Sequence, residues 1–406
     1  MDKAYHYRQK NVRDLPIRDS VVRLWDAKDS PDRETIGEFF EPLFRTGFVF
    51  PYASLMPDYH PGENSMIGSV IPTKDTLLPS VVGGDLGCGV TAVQLPVEAD
   101  ELSAVLPNIR DGLRAGIPTG TSHNSQATER VANNPIWEKE PRTPLLTARL
   151  KSKLLRQFAS LGGGNHFLEI QRDTRGRAWI MLHSGSRYLG IVIRDHYLEA
   201  GAAQDCIDAR LYRQVPYIPL QCSMGRDYLA DVQFALDFAR ESRKEMMLRS
   251  LEVLAAHCPA VVQAGADALV AAAHDVSHNY VALERHFGMD LLVHRKGAIR
   301  LAEGEVGFVP GSMGSTSFVV EGRGNEYAFC SCSHGAGRSM SRGEAFRRIS
   351  DRDLEQSMDG ILWDGKAQVK DEAPAAYKDS HLVMRGQKDL VKIRYELKPV
   401  LSIKGY

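Results

Sequence analysis

Between Asp227 and Ala256 the apolar residues Leu229, Val232, Ala235, Leu236, Ala239, Met246 and Leu254 recur near helical spacing, with Asp231, Arg240, Lys244 and Glu245 between them. So long a helical run predicts one or two long helices that serve as packing scaffold, against which the rest of the chain must be arranged. A different period follows near the C-terminus. There Val391, Ile393, Tyr395 and Leu397 alternate with Lys392, Arg394 and Glu396, as in a half-buried strand. Further strands are expected at Val90 to Leu95, Trp179 to Leu182, Leu291 to Val293 and Phe318 to Val320. Strand and helix signals interleave without a regular βαβ count, so the expected fold is mixed α/β (α+β), neither a standard barrel nor a Rossmann sheet.

No repeat, low-complexity run or long Gly/Ser linker interrupts the chain, which argues for one large domain over residues 1–406. Residues 119–144 crowd together Thr119, Gly120, Ser122, Asn124, Ser125, Asn133, Asn134, Pro135, Pro141 and Pro144, and are expected to form a surface loop that is mobile or covers a site. With 43% apolar and 25% charged residues, the composition is that of a globular enzyme. The apolar tract Ala260 to Ala273 is broken by Gln263 and Asp267 and is too short for a bilayer. Asp2, Lys3, Arg8, Lys10, Arg13 and Asp14 leave no room for an apolar leader, so a cytoplasmic protein without membrane contact is expected. The six cysteines form no disulfide framework, and at least one is a candidate ligand. A formal net charge of -1 excludes a general polyanion binder, so any nucleic-acid site must be a local patch.

The chemistry concentrates where histidine stands among glycine and small polar residues: Gly162-Gly163-Gly164-Asn165-His166, His183-Ser184-Gly185-Ser186-Arg187, Ser277-His278-Asn279 and Ser333-His334-Gly335-Ala336-Gly337-Arg338. A carboxylate and a thiol lie close in Gly83-Gly84-Asp85-Leu86-Gly87-Cys88-Gly89. Glycine lets backbone approach a ligand closely, so such surroundings suggest a site built on loops. Taken singly, each histidine reads equally well as a satisfied buried side chain, and Asp85 and Cys88 as a turn aspartate and a small buried thiol. Taken together, thiolate, imidazoles and carboxylate suit a first-row transition metal, zinc by default and manganese where oxygen donors contribute. Gly162 to Gly164 lacks the spacing of a phosphate loop, and His183-Ser184-Gly185-Ser186 lacks that of a serine-hydrolase elbow. Cys330-Ser331-Cys332 has no second cysteine pair and reads as core packing. His274 and His278 stand four apart; were Ala271 to Tyr280 helical, both would face one way and both would be ligands.

In order along the chain, Met56-Pro57-Asp58-Tyr59-His60, Ile67-Gly68-Ser69-Val70-Ile71-Pro72-Thr73-Lys74, Asp85-Leu86-Gly87-Cys88-Gly89, Gly164-Asn165-His166-Phe167-Leu168-Glu169-Ile170, His183 to Arg187, Arg295-Lys296-Gly297-Ala298, Pro310-Gly311-Ser312-Met313-Gly314, Cys330 to Arg338 and Ala376-Tyr377-Lys378-Asp379 resemble the RtcB family of RNA-splicing ligases. The resemblance runs from about residue 50 to the C-terminus. It implies a two-manganese centre on Asp85, Cys88, His166, His183 and His278, with Cys88 bridging, and His334 as the nucleophile that takes guanylate from GTP. It implies a guanylate pocket of Asn165, Phe167, Glu169, Ser312, Ser317, Gly335, Ala336, Tyr377 and Lys404, with Glu169 accepting from the guanine edge. Arg187 and Arg338 resemble residues that meet the RNA phosphate.

The implied activity joins a 2′,3′-cyclic phosphate or 3′-phosphate RNA end to a 5′-hydroxyl end, in RNA repair or tRNA splicing. Its partners would be broken tRNA or rRNA, and an archease-type activator is a further partner that the resemblance admits. His274 has no counterpart among the family's ligands, and His274-Asp275 reads instead as a helix-end pair. The chain departs from the family at Glu63, where a basic residue is common, at Ser277, where histidine is usual, and in a shorter segment between Asp85 and His166, which suggests a divergent paralogue. Two other readings compete: a metal-dependent phosphoester hydrolase, in which the same ligands activate water, and a retired paralogue that only binds RNA.

Overall fold

The structure, a computed structural model, describes residue 7 and residues 9–25, 33–365 and 367–405. Asp2, Lys3 and Arg8, on which the N-terminal reading partly rests, lie outside them. The fold is mixed α/β, as expected. A six-stranded sheet has the order Val12–Ile17, Ser20–Trp25, Tyr52–His60, Ile67–Thr73, Met289–Lys296, Asn279–His286. A seven-stranded sheet has the order His274–Ser277, Gly89–Glu98, Arg177–Ser184, Phe167–Asp173, Val391–Lys404, Ser317–Gly322, Val306–Val309. Every pairing in the second sheet is antiparallel. In the first, only Ser20–Trp25 and Tyr52–His60 run parallel.

All four short strand expectations fall inside observed strands, and the helical run is one helix, Ser223–Ala255, of 33 residues. It packs across Gly89–Glu98 and Arg177–Ser184. Strand Gly89–Glu98 is covered on both faces along its first half, so Val90, Ala92 and Val93 read as a continuous apolar run rather than an alternation. The C-terminal strand extends to Lys404, well past the expected Leu397. Its expected alternation fails at Ile393, which is 41% exposed. A bulge opposite Val319 and Val320 adds one residue to this strand, and an added residue turns the following side chains to the other face.

Three expectations are corrected. Residues 119–144 are not a bare loop, because they hold the short helices Glu129–Ala132 and Pro135–Glu138. Arg130 of this segment pairs with Glu245 and Glu252 of the long helix, and Trp137 packs on Phe158 and Phe238, so the segment buttresses that helix instead of covering the histidines. Ala271 to Tyr280 is not helical: the helix ends at Ala272, and His274–Ser277 and Asn279–His286 are strands of different sheets. Asp275 is no cap, since its carboxylate takes a fork from Arg243 of the long helix. Finally, Cys206 and Cys222 are joined as a disulfide, because the chain between them folds back to the start of the long helix. Among the described residues no helix is long and apolar enough to cross a membrane.

Candidate active site

Antiparallel register assembles what the sequence scatters. Across one end of the second sheet Ser277 lies opposite Gly89, Gly89 opposite Ser184, His183 opposite Phe167, and Phe167 opposite Lys404. Cys88 and His166 immediately precede two of these strands, and His183 sits near the end of a third. His278 is the single residue between a strand of the second sheet and a strand of the first. Its backbone N–H donates to Cys88 O at 2.8 Å and its carbonyl accepts from Ala298 N at 3.3 Å, which fixes it at the seam.

Cys88 Sγ lies 3.3 Å from His166 Nε2 and 3.1 Å from His183 Nε2, and His183 Nε2 lies 2.9 Å from His278 Nε2. Each imidazole has an acceptor for the hydrogen on its other nitrogen. His166 Nδ1 faces Leu161 O at 2.8 Å, His183 Nδ1 faces Asn165 O at 3.3 Å, and His278 Nδ1 faces Asn279 Oδ1 at 3.1 Å. Asn279 is fixed in turn, because its Oδ1 accepts from Gly297 N and its amide donates to Asp85 O. Burial pushes His166 down to about 4 and His183 and His278 well below the usual imidazole range, so all three are neutral. The Cys88 thiol and the Nε2 lone pairs of His166 and His183 therefore converge within 4.8 Å of one another, and the Nε2 of His278 adjoins that of His183. Lone pairs at 2.9 Å repel unless a cation lies between them, and this donor set is that of a transition-metal site. Burial and the neighbouring Asp85 push the Cys88 thiol up, so it ionises there only against a metal charge. Asp85 lies at the mouth, half exposed, its Oδ2 4.0 Å from His166 Nε2.

The long helix holds the ligands through Arg243, whose side chain is fully buried. Nε and Nη2 fork onto Asp275, Nη1 donates to Gly87 O at 2.7 Å and Ser184 O at 2.8 Å, and Nη2 reaches Ser277 Oγ at 3.4 Å. Gly87, Ser184 and Ser277 are the chain neighbours of Cys88, His183 and His278. Ser277 thus supplies an acceptor to this arginine.

Above the cluster opens a cleft of about 710 Å³. Asp85, Asn165, Phe167, His183, His278, His334, Gly335, Ala336, Arg338, Tyr377 and Lys404 line it, with Cys88 and His166 beneath. The His334 ring lies 4.7 Å, centroid to centroid, from that of His278. Its Nδ1 donates to Asp58 Oδ2 at 2.7 Å, and that oxygen also takes the backbone N–H of His334 and Gly335. Asp58 is wholly buried in strand Tyr52–His60. Among the described residues nothing bonds the Nε2 of His334. Gly337, at φ 74°, admits this approach, since a Cβ there would lie 2.0 Å from Asp58 O.

Glu169, Arg187, Ser312 and Ser317 do not line the cleft. Glu169 is buried one step along the strand from Phe167; its Oε1 accepts from Ser402 Oγ and its Oε2 from Gln171 Nε2, and burial raises its carboxyl. The same Gln171 amide donates to Ser317 Oγ, and Ser312 Oγ bonds Ser315 Oγ. Arg187, at φ 59°, fills the space that Gly162 leaves, and its buried Nε has no hydrogen-bond partner. Arg338 is anchored by Met340 O, Asp371 O, Glu372 and the Tyr377 hydroxyl. Glu372 also receives Arg342 and Lys404. Burial alone would raise the Glu372 carboxyl, but Lys404, Arg342 and the Tyr377 hydroxyl hold it down. His274 is exposed on its strand, away from the cluster.

A model of the family described as tRNA-splicing ligase RtcB matches residues 42–405. The chain belongs to the RtcB family. It is 35% identical over 405 residues to the RNA-splicing ligase RtcB of Escherichia coli (strain K12), covering 96% of this chain and 99% of the relative. It is 29% identical over 433 residues to the RNA-splicing ligase RtcB of Mycobacterium tuberculosis, covering 86% and 96%. With the tRNA-splicing ligase RtcB of Thermococcus kodakarensis it shares 27% over 414 residues, covering 81% and 82%. Within this RtcB-family chain, sequence reading assigned no role to Asp58, Asn279, Arg243 or Glu372. Asp58 gave one signal: a carboxylate inside the buried strand Tyr52–His60 needs a partner.

Proposed function

We propose that this chain is an RNA ligase that uses GTP and two manganese ions, and joins a 2′,3′-cyclic phosphate or 3′-phosphate RNA end to a 5′-hydroxyl end. The observation that carries the reading is the His334–Asp58 pair beside the converging thiol and imidazoles. An imidazole whose Nδ1–H is held by a buried carboxylate presents Nε2 as a neutral nucleophile. His334 Nε2 attacks the α-phosphorus of GTP, the phosphorus–nitrogen bond forms, and pyrophosphate leaves. Asp58 keeps the ring oriented and accepts the positive charge that develops on it. A 3′-phosphate oxygen then takes the guanylate from His334, which returns to its neutral form, and the 5′-hydroxyl oxygen attacks the activated phosphate and expels GMP. A 2′,3′-cyclic end is first opened by water to the 3′-phosphate.

Asp85, Cys88, His166, His183 and His278 would hold the metals, which supply charge neutralisation at phosphoryl oxygens. Asn165, Phe167, Gly335, Ala336, Tyr377 and Lys404 would surround the guanylate, with Glu169, Ser312 and Ser317 behind them. Arg187, whose Nε meets no acceptor among the described residues, would turn towards an RNA phosphate, whereas Arg338 would meet it as a donor fixed in advance by Glu372. We place this work in RNA repair or tRNA splicing in the cytoplasm, by one catalytic domain, with an archease-type protein as activator. The test is incubation with α-labelled GTP and manganese followed by denaturation. Acid-labile label on the wild-type chain and none on His334→Ala is expected; label that persists in the variant overturns the assignment.

A further inference from the structure

The net charge of -1 demands a local patch for any RNA, and residues 141–168 hold one: Arg142, Arg149, Lys151, Lys153 and Arg156, with no Asp or Glu. Helix Ala148–Gln157 carries four of these five. Successive residues of a helix turn by about 100°, which puts Arg149, Lys153 and Arg156 along one edge. Elsewhere about half of the exposed arginines are neutralised, as Arg45 is by Glu41, Arg130 by Glu252 and Arg348 by Glu344. Among the described residues none of Arg149, Lys153 and Arg156 has a carboxylate partner, and Arg149 and Arg156 are exposed.

The basic edge leads to the metal cluster. Lys153 Nζ stands 3.2 Å above the ring of Tyr188, and Tyr188 N donates to Gln157 Oε1 at 3.3 Å. Tyr188 directly follows Arg187, and its ring is 37% exposed. One turn on, Ile191 is 39% exposed and packs against Gly84, the neighbour of Asp85. From the far end of the helix, Leu161 O orients His166. An unpaired cationic edge beside an exposed aromatic and an apolar side chain, ending at the cleft, is the composition that holds a single-stranded nucleic acid: cations follow the phosphates while bases lie on the ring. The helix spans about 15 Å, room for a few nucleotides.

We infer that the edge of helix Ala148–Gln157, with Tyr188 and Ile191, is the ledge along which a single RNA strand runs to or from the cleft. This rests on the RNA-ligase reading and adds the path of the substrate to it. The test compares Arg149→Gln/Lys153→Gln/Arg156→Gln with a charge-matched control, Arg210→Gln/Arg213→Gln/Arg352→Gln, whose residues are exposed elsewhere. The probe is a fluorescent 20-nucleotide RNA ending in a 3′-phosphate, titrated by anisotropy over a range of salt. In the first variant affinity should fall on the order of tenfold or more, and the slope of log affinity against log salt should flatten by about 0.7 for each phosphate that is no longer neutralised. Tyr188→Ala should lower affinity by roughly tenfold with the salt slope kept, because stacking releases no counterion. Guanylate uptake by the ledge variants reports that the catalytic cleft is intact. Unchanged affinity and slope in the first variant, or an equal loss in the control, overturns the ledge. Failure of the ligase reading shows separately, as a wild-type chain that binds the RNA but neither takes up guanylate nor seals ends.

Discussion

Asp58 Oδ2 accepts three N–H groups from the His334 loop, so it does more than neutralise a charge. Asp58→Ala leaves those donors unpartnered and the imidazole free to turn. The rate of label uptake from GTP should fall by about 10²-fold or more, the scale of a lost acid–base partner. Asp58→Asn should fall between the two, because an amide oxygen can still accept from Nδ1. Equal single-turnover rates for the alanine variant and wild type would remove the aspartate from the mechanism. His274 and His278 give a second contrast at this scale. His278→Ala should lose metal and ligation, while His274→Ala, altering an exposed strand position, should keep both. Elemental analysis decides, and equal metal loss in the two variants would place both on the ion.

Among elements, the long helix reaches the metal cluster through one side chain, since every N–H of Arg243 goes to a neighbour of a ligand or to Asp275. Arg243→Met should weaken manganese or cobalt binding by roughly 10–100-fold, the range for groups that orient ligands. It should also lower stability, because Asp275 loses its fork and keeps only the Thr91 hydroxyl and the longer contact to Arg240. Calorimetric titration giving an unchanged metal Kd would confine Arg243 to packing. A parallel pair fixes the nucleophile side. Arg295, fully buried, forks onto Glu284 and also holds Ser331 Oγ and Phe329 O ahead of His334. Burial alone would raise the Glu284 carboxyl, but Arg295 and His286 bring it down to about 2, against an ordinary value of 4.5. A carboxylate depressed in the folded state stabilises above its unfolded value, and that stability is lost as pH falls through the folded one. Glu284→Gln should therefore cost about 3–5 kcal/mol near neutrality, and the gap to wild type should narrow between pH 4.5 and 2. Denaturant melts across that range check it; a constant gap would show that the pair does not titrate.

For the whole molecule, a metal held by the thiol and imidazoles would cross-link the two sheets at their seam. Neutral imidazoles and a thiol gathered from residues 88 to 278 would bind it in the folded state and are dispersed in the unfolded one. Chelation should lower the melting temperature, and returning manganese at a hundredfold excess over Kd should restore about 2.7 kcal/mol. A melting temperature indifferent to metal would mean that the cluster does not bind one in the native state.

The sequence by itself determined the long helix, the short strands and the residue types of the site, because period, glycine placement and donor chemistry are local properties. It told the family for the same reason: the blocks from Met56 to Asp379 are contiguous strings. Local spacing alone left Ala271 to Tyr280 open, since four residues between His274 and His278 suit a helix, whereas the chain crosses from one sheet to the other at His278. Only the tertiary structure decided that Asp58 holds His334 from 276 residues away and that Arg243 ties three ligand segments together. Those contacts are set by strand register and by a buried arginine's need to spend all its donors, and neither leaves a mark in the local sequence.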